Sequence, residues 1–312
     1  MSLFLAPLLI KKLSYSLENS PLLILNPVFS PFTNYHSPIT RKMSRLITAL
    51  IALPLLVASI LVPVLAPLFV AIAVAAMVIG LYEFWWLGKK GGVKPDVVIG
   101  YGAAAAIFAV FYFNELGFLI FIIPVFIIAA LSAATLKGGP FDKMMASVSV
   151  TVLGVLYVAL LGGHLVALRT APFTKPGLST HLLSFFFLVI MGSDTGAYYS
   201  GRTFGRHKLA PKISPGKTWE GAVGGMVASL VLAVVSHYWF FPELSLKAAI
   251  PLAAAMNVLG VIGDLTESAL KRGAGAKDAA KILPGHGGLL DRLDSLLFNA
   301  PVLYYFAQLY FR

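Results

Sequence analysis

The chain has 312 residues, of which 58% are of hydrophobic types and only 12% are charged. Soluble domains run closer to half apolar and a quarter charged, and disordered chains are poorer still in apolar residues, so both classes are excluded. The absence of cysteine removes disulfide frameworks, thiol nucleophiles, zinc–thiolate sites and Fe–S clusters. The net charge of +11 is carried by cations lying between apolar runs. That pattern suits orientation in a bilayer and contact with anionic lipid head groups, not nucleic acid.

Residues 1–42 differ from the rest and read as an N-terminal extension whose status the sequence leaves open. They carry Pro, Ser and Asn around short apolar runs (Leu3–Ile10 and Leu22–Leu25). They lack the basic start and small-residue cleavage site of a signal peptide. The scarcity of acids, with Glu18 alone, leaves a transit peptide conceivable, and Met43-Ser44-Arg45 before an apolar helix reads as an alternative beginning.

From residue 43 to 312 the chain reads as one membrane-embedded domain. A spanning helix needs about 20 mostly apolar residues. Leu46 to Leu87 holds 42 residues with a single charge, Glu83, which fits two spans broken near Val62-Pro63. Further spans are expected at 97–113, 117–136, 145–168, 182–200, 221–241, 246–263 and 295–311. The expectation is therefore an all-α integral membrane protein, a polytopic bundle of about nine transmembrane helices. With nine spans, 18 of the Lys and Arg residues from Arg41 onward fall on one face; Arg169, Lys175, Lys247 and Arg312 fall on the other. The positive-inside rule then puts the N-terminus, and both long polar loops at 193–221 and 263–294, in the cytoplasm.

Of 13 acidic residues, eight lie beyond residue 190. Carboxylates in or beside membrane helices are costly and usually face a cavity or pathway. The first cluster, Gly192-Ser193-Asp194-Thr195-Gly196, leads into a basic Gly/Pro-rich loop with five cations from Arg202 to Lys217. Such a loop can hold a polyphosphate, or can simply be a positive-inside loop. In the second cluster, Asp264 and Glu267 share a helix face and Glu267 can pair with Lys271. Lys277-Asp278 and Pro284-Gly285-His286-Gly287-Gly288 follow, with a helix expected to start near Leu289. Its N-terminus would offer free N–H groups to a phosphate, with Asp291 and Asp294 one turn in. Carboxylates beside cations suggest Mg²⁺ plus phosphate. Asp264 and Asp291 favour metal ligation; for Glu267, Asp278 and Asp294, ion pairing explains the residue equally well.

Absences narrow the chemistry. The chain has no G-x-x-x-x-G-K-[ST], H-E-x-x-H or G-x-S-x-G motif. His164, His181 and His237 are isolated and read as packing or interfacial residues. No nucleophile–base pair stands out, which fits a reaction whose nucleophile belongs to the substrate.

The stretch from Ser268 to Asp294, with Lys271-Arg272, Lys277-Asp278 and Leu283-Pro-Gly-His286-Gly-Gly-Leu-Leu-Asp291-Arg292-Leu-Asp294, resembles the signature of the phosphatidate cytidylyltransferases, or CDP-diacylglycerol synthases. Ser193-Asp194 and Ile213-Ser-Pro-Gly-Lys-Thr-Trp-Glu-Gly221 resemble the same family, and the likeness runs from about Met43 to the C-terminus. The resemblance implies a reaction of CTP with phosphatidate to give CDP-diacylglycerol and pyrophosphate, dependent on Mg²⁺. It further implies a homodimer in a bacterial-type inner membrane with its site facing the cytoplasm. Asp264 and Asp291 become the metal pair, and a second cation beside them is compatible with the pattern. Lys271, Arg272, Lys277 and Arg292 are then candidates for the triphosphate, and Lys212 and Lys217 for the phosphatidate head group or pyrophosphate. His286 either donates to phosphate or fixes its loop. Asp194 either joins the site or anchors the Arg202–Arg206 segment. Ser193, Ser214, Thr218, Glu267, Ser268, Gly287, Gly288 and Asp294 complete the expected substrate-binding set. Two rivals stand beside this reading. A CTP-dependent lipid or polyprenol kinase would transfer the γ-phosphate and release CDP. A cation-coupled transporter would place acids near mid-membrane and show an internal repeat, and no repeat is seen. A CDP-alcohol phosphotransferase is excluded, because its motif needs Asp-Gly steps and the chain has none.

Overall fold

Apolar runs of the right length become helices wherever proline and glycine leave the backbone hydrogen bonds intact. The structure is a computed structural model that describes residues 38–138, 140–276, 280 and 288–311, with side chains from residue 50 onward. Residues 40–312 form one unit by internal contacts.

The first helix, α1 (Pro38–Leu61), stops where Val62 turns extended ahead of Pro63, the conformation a following proline favours. A 3₁₀ turn (Pro63–Leu65) leads into α2 (Ala66–Lys90), whose last turn holds Lys89 and Lys90 against the negative end of the helix dipole. Next comes α3 (Val97–Phe113), capped by Asp96, whose Oδ1 accepts from the Ile99 N–H at 3.4 Å. It ends on Asn114 in the left-handed region, at φ 58°. After α4 (Leu119–Leu136), the helix α5 (Phe141–Thr170) runs through a π-helical stretch at Val155–Leu160. Then follow α6 (Leu178–Phe204), a hairpin of β1 (Lys208–Ala210) and β2 (Ser214–Thr218), α7 (Trp219–Trp239), α8 (Leu246–Gly273) and α9 (Leu290–Tyr310).

Among the described residues, six helices (α2 and α4–α8) are long and apolar enough to cross a membrane. The apolar part of α1 and the 17-residue α3 are shorter. Helix α9 has 21 residues, but its first turns carry Asp291, Arg292 and Asp294. The chain is thus an all-α polytopic membrane protein, with large apolar side chains such as Ile120, Phe121, Val125 and Ile128 of α4 turned outward.

Two local features depart from the sequence expectation. Helices α6 and α8 run on to Phe204 and Gly273, well beyond the apolar stretches that predict them. Hydropathy marks where a span leaves hydrocarbon; helix formers such as Ala269, Leu270, Lys271 and Arg272 carry the helix further. The segment read as an irregular basic loop also contains an antiparallel ladder, pairing Lys208 with Thr218 and Ala210 with Ser214. Its prolines and glycines mask the strand signal, and the Trp219 N–H extends the pairing to the His207 carbonyl at 2.9 Å.

Small residues bring α6 and α7 together. Gly192, Gly196 and Ser200 recur every fourth residue on α6; Gly196 meets Gly224 and Ala228 of α7, Ser200 meets Gly224, and Gly192 faces Leu232. A Cβ at Gly196 would lie 2.6 Å from that of Ala228 and 2.9 Å from the Gly224 carbonyl. Close backbone approach of this kind is the usual means of helix association in lipid.

Candidate active site

The ends of α6 and α8, the start of α7 and α9, and the hairpin enclose a cavity of about 530 Å³. Five carboxylates line it, those of Asp194, Asp264, Glu267, Asp291 and Asp294. Four cations line it as well: Arg202, Lys217, Lys271 and Arg292. The two acidic clusters, about 70 residues apart in the sequence, therefore form one site.

Local structure explains how each group arrives there. On α6, Asp194, Tyr198 and Arg202 are spaced four apart, so they share one face, and Arg202 Nη1 donates to the Tyr198 hydroxyl at 3.0 Å. Ser193 is buried behind Asp194 and accepts from Asn257 Nδ2 of α8 at 2.6 Å, which fixes the two helices in register. On α8, Gly263 precedes Asp264; a Cβ at Gly263 would lie 2.6 Å from the Asp294 carbonyl. Only glycine lets α9 approach so closely, and that approach carries Asp291 and Asp294 to the cavity.

The ion pairs cross between elements. Lys217 Nζ of the hairpin lies 2.5 Å from Asp264 Oδ2, and Ser268 Oγ approaches Asp264 Oδ1 at 3.5 Å. Lys271 Nζ lies 2.6 Å from Glu267 Oε2 and 3.0 Å from Asp291 Oδ1, so one ammonium bridges α8 and α9. Glu267 is 1% exposed, and its Oε1 has no hydrogen-bond partner. Such an orphaned buried oxygen has acceptor capacity to spare.

The expected site residues divide accordingly. Ser193, Asp194, Lys217, Thr218, Asp264, Glu267, Lys271, Asp291, Arg292 and Asp294 line the cavity. Thr218 has a second task, since its Oγ1 caps α7 by accepting the Gly221 N–H at 3.1 Å. Lys212, Ser214, Arg272, Ser268 and Gly288 are not on the lining. Lys212 is exposed at the hairpin turn, Ser214 pairs with Ala210, and Arg272 Nε donates to the Ile213 carbonyl at 3.3 Å. Arg272 thus ties the end of α8 to the hairpin. Lys277, Asp278, His286 and Gly287 lie outside the described residues.

The N-terminus of α9 corrects one expectation. Its first N–H, that of Leu290, is not open to a phosphate but donates to Glu83 Oε2 at 2.6 Å. Glu83 belongs to α2 and is fully buried, so the one acid in the first apolar stretch serves as a cap from 207 residues away. Sequence reasoning missed this pairing, along with Tyr198 and Ser295 on the cavity and Asn257 behind Ser193. The four-residue stripe from Asp194 to Arg202 is the signal that could have found Tyr198.

The donor set also bears on a metal. Among the described residues, no three His, Asp or Glu side chains stand close enough to enclose an ion. Among the described residues the lining is nevertheless rich in carboxylate oxygen and carries no histidine. Mg²⁺ suits such a site, because it commonly takes one or two carboxylates and completes its shell with water and substrate phosphate.

Comparison with known proteins agrees with this picture. Over 129 residues the chain is 46% identical to a phosphatidate cytidylyltransferase of Haemophilus influenzae, covering 40% of this chain and 45% of that one. It is 45% identical over 123 residues to the protein of that name from Staphylococcus haemolyticus, covering 39% and 47%. A Staphylococcus aureus protein of the same name is 42% identical over 123 residues, with the same coverage. The chain thus spans about half the length of the curated relatives it matches. A family profile extends further, matching residues 43–310, and by that match the chain belongs to the cytidylyltransferase family.

Proposed function

We propose that the protein is a membrane nucleotidyltransferase that moves CMP from CTP to phosphatidate, giving CDP-diacylglycerol and pyrophosphate. The observation that carries this reading is the single cavity in which five carboxylates and four cations meet at helix ends. Residues of the 268–294 signature and of the Ser193-Asp194 and Lys217-Thr218 segments supply most of its polar lining. A nucleoside triphosphate needs cations against its phosphates, and a lipid phosphate needs a site where membrane helices end. This cavity offers both.

In the proposed step a phosphate oxygen of phosphatidate attacks the α-phosphorus of CTP. A new P–O bond forms as the bond to the β,γ-pyrophosphate breaks, and pyrophosphate leaves with the electron pair. A phosphate monoester has its second pKa near 6, so the nucleophile is already largely ionised at neutral pH and needs no general base. That accounts for the lack of a nucleophile–base pair. Arg202, Lys217, Lys271 and Arg292 face the triphosphate and offset its charge, and Lys217 reaches the site from the hairpin. Asp264 and Asp291 are the residues that would hold Mg²⁺. When bound, the ion supplies electrostatic stabilisation of the reacting phosphates and of the departing pyrophosphate. Lys217 and Lys271 neutralise these same carboxylates in the present arrangement, which keeps like charges together at low cost.

The cation distribution supports a cytoplasmic placement of the N-terminus and of this cavity, in a bacterial-type inner membrane. The acyl chains of phosphatidate then stay in the bilayer while CTP enters from water. A homodimer is the assembly that the family resemblance implies. The test is an assay of purified full-length protein with phosphatidate, Mg²⁺ and α-labelled CTP. Label is expected in the lipid phase and pyrophosphate in the aqueous phase. Transfer from γ-labelled CTP to a lipid alcohol, with none from the α-labelled form, would make the protein a kinase. Neither transfer, from folded protein, would bring forward a transporter.

A further inference from the structure

A second cavity, of about 620 Å³, lies between the first turn of α3, the end of α4 and the start of α5. It shares no lining residue with the carboxylate cavity. Its walls are mostly apolar, with Val97, Ala130, Ala134, Met144 and Val148 among them. Ala130 is buried, whereas Val98 and Phe141 on the same lining are 76% and 70% exposed. The cavity therefore opens past large apolar side chains that water would not favour.

Three lysines, Lys94, Lys137 and Lys143, stand on the same lining. Lys89 and Lys90 end α2 just ahead of Gly92, which also lines the cavity. The acids nearby are Asp96 and Asp142. Asp96 is already engaged, capping α3, pairing with Lys137 at 2.5 Å, and holding α5 through its N–H to Thr151 Oγ1 at 2.8 Å. Among the described residues, Lys94 and Lys143 make no ion pair. Cations and exposed apolar side chains at one level are the mark of a membrane–water interface, where basic pockets between helices take anionic head groups.

We propose that this cavity binds an anionic glycerophospholipid of the surrounding membrane, at a site separate from the reaction. The head group sits among Lys94, Lys137 and Lys143, and the upper part of an acyl chain lies against α4 and α5. Free phosphate has no apolar part to fill the walls, and a nucleotide has a flat base but no acyl chain to lie along α4 and α5. All the lining cations are lysines, which act as point charges and lack the fixed fork of a guanidinium. The site therefore selects for negative charge rather than for one head-group shape.

Native mass spectrometry of the full-length protein in detergent tests this with phosphatidylglycerol, phosphatidylcholine and inorganic phosphate as probes. The wild type should retain one phosphatidylglycerol that Lys94→Gln/Lys143→Gln loses, with binding weakened about thirtyfold, the value for two lysines near a lipid surface. Ala134→Phe, which fills the cavity and leaves the charges intact, should lose the same lipid. Equal retention of phosphatidylcholine would overturn the proposal. So would phosphatidylglycerol kept by Ala134→Phe, since the lysines would then act only as a charged surface. Full protection by inorganic phosphate alone would likewise overturn it, in favour of a soluble anion.

Discussion

The stretch up to Thr170 and the stretch from Leu178 onward spend their charge differently. In α2 to α5 the charged residues gather at helix ends, and Glu83 is the acid buried within a helix. In α6 to α9 the carboxylates of Asp194, Asp264, Glu267, Asp291 and Asp294 sit on helix turns facing one cavity, where Asp264, Glu267 and Asp291 pair with lysines. The cavity of the first part is apolar with a basic fringe, and that of the second is lined by carboxylates and cations together. Acids in a membrane protein are costly, and the second part tolerates them because cations from other elements meet them in the same space. The first part has no such space and keeps its helices plain. On the proposed function, chemistry on phosphates belongs with the second part, and the proposed lipid contact with the first.

The largest effect should come from removing charge where it is densest. Asp264→Asn and Asp291→Asn should each cut transfer of label from α-labelled CTP into lipid by at least about a hundredfold, the scale of several kcal/mol of transition-state stabilisation. Thermal unfolding of the two variants should stay close to wild type, because Asp264→Asn removes the charge partner of Lys217, Asp291→Asn leaves Lys271 paired with Glu267, and neither opens a gap in packing. Activity retained near the wild-type level in both would remove these carboxylates from the reaction and dissolve the contrast between the two parts.

Gly263→Val probes the contact that assembles the charged cavity rather than the charge itself. Its side chain would press on the Asp294 carbonyl, which a Cβ alone already approaches to 2.6 Å. The expected cost is about 3 kcal/mol, the upper range for overpacking, read as a lowered unfolding midpoint in detergent with activity falling in step. A variant of normal stability and activity would show that α8 and α9 can part without harm to the site.

Glu83 is where the plain part reaches into the charged one. Glu83→Ala leaves the buried Leu290 N–H without an acceptor and should cost about 2 kcal/mol, whereas Glu83→Gln keeps an acceptor oxygen and should cost less. If Ala and Gln prove equally stable, the cap on α9 is not the reason this acid is buried.

The same contrast explains what could be read from the sequence. The break at Val62-Pro63 and the helix at Val97–Phe113 were legible because apolar run length and proline are local signals. The two acidic clusters were legible as chemistry because carboxylates are rare elsewhere in the chain. The extension of α8 to Gly273 was legible only as the condition for pairing Glu267 with Lys271, since hydropathy falls where the helix continues. The hairpin was hidden by Pro211, Pro215 and Gly216, which argue against strands one residue at a time. Nor could any local pattern pair Glu83 with Leu290 or Asn257 with Ser193, contacts set by how helices pack at distances of 207 and 64 residues. For the candidate site, Lys271, Asp291, Arg292 and Asp294 of the signature line the cavity, while Lys212 and Arg272 lie off its lining, because type and spacing do not say which way a side chain points.

The smallest expected effect lies at the basic fringe of the apolar cavity, and its sign follows from Asp96. Burial pushes the Asp96 carboxyl up, but the Lys137 ammonium and the N–H of Ile99 outweigh it and hold the group below the usual carboxylate range. A carboxyl depressed by folding contributes stability that is present above its unfolded pKa, about 3.9, and is lost as pH falls through the lower folded value. Asn caps a helix as well as Asp does, so Asp96→Asn isolates the ion pair from the cap. Lys137 is largely exposed, which limits the pair to less than about 1 kcal/mol. At neutral pH the variant should unfold slightly below wild type, and the two midpoints should converge on acidification below pH 4 or so. A gap that persists or widens in acid would mean that Asp96 acts here through something other than its charge.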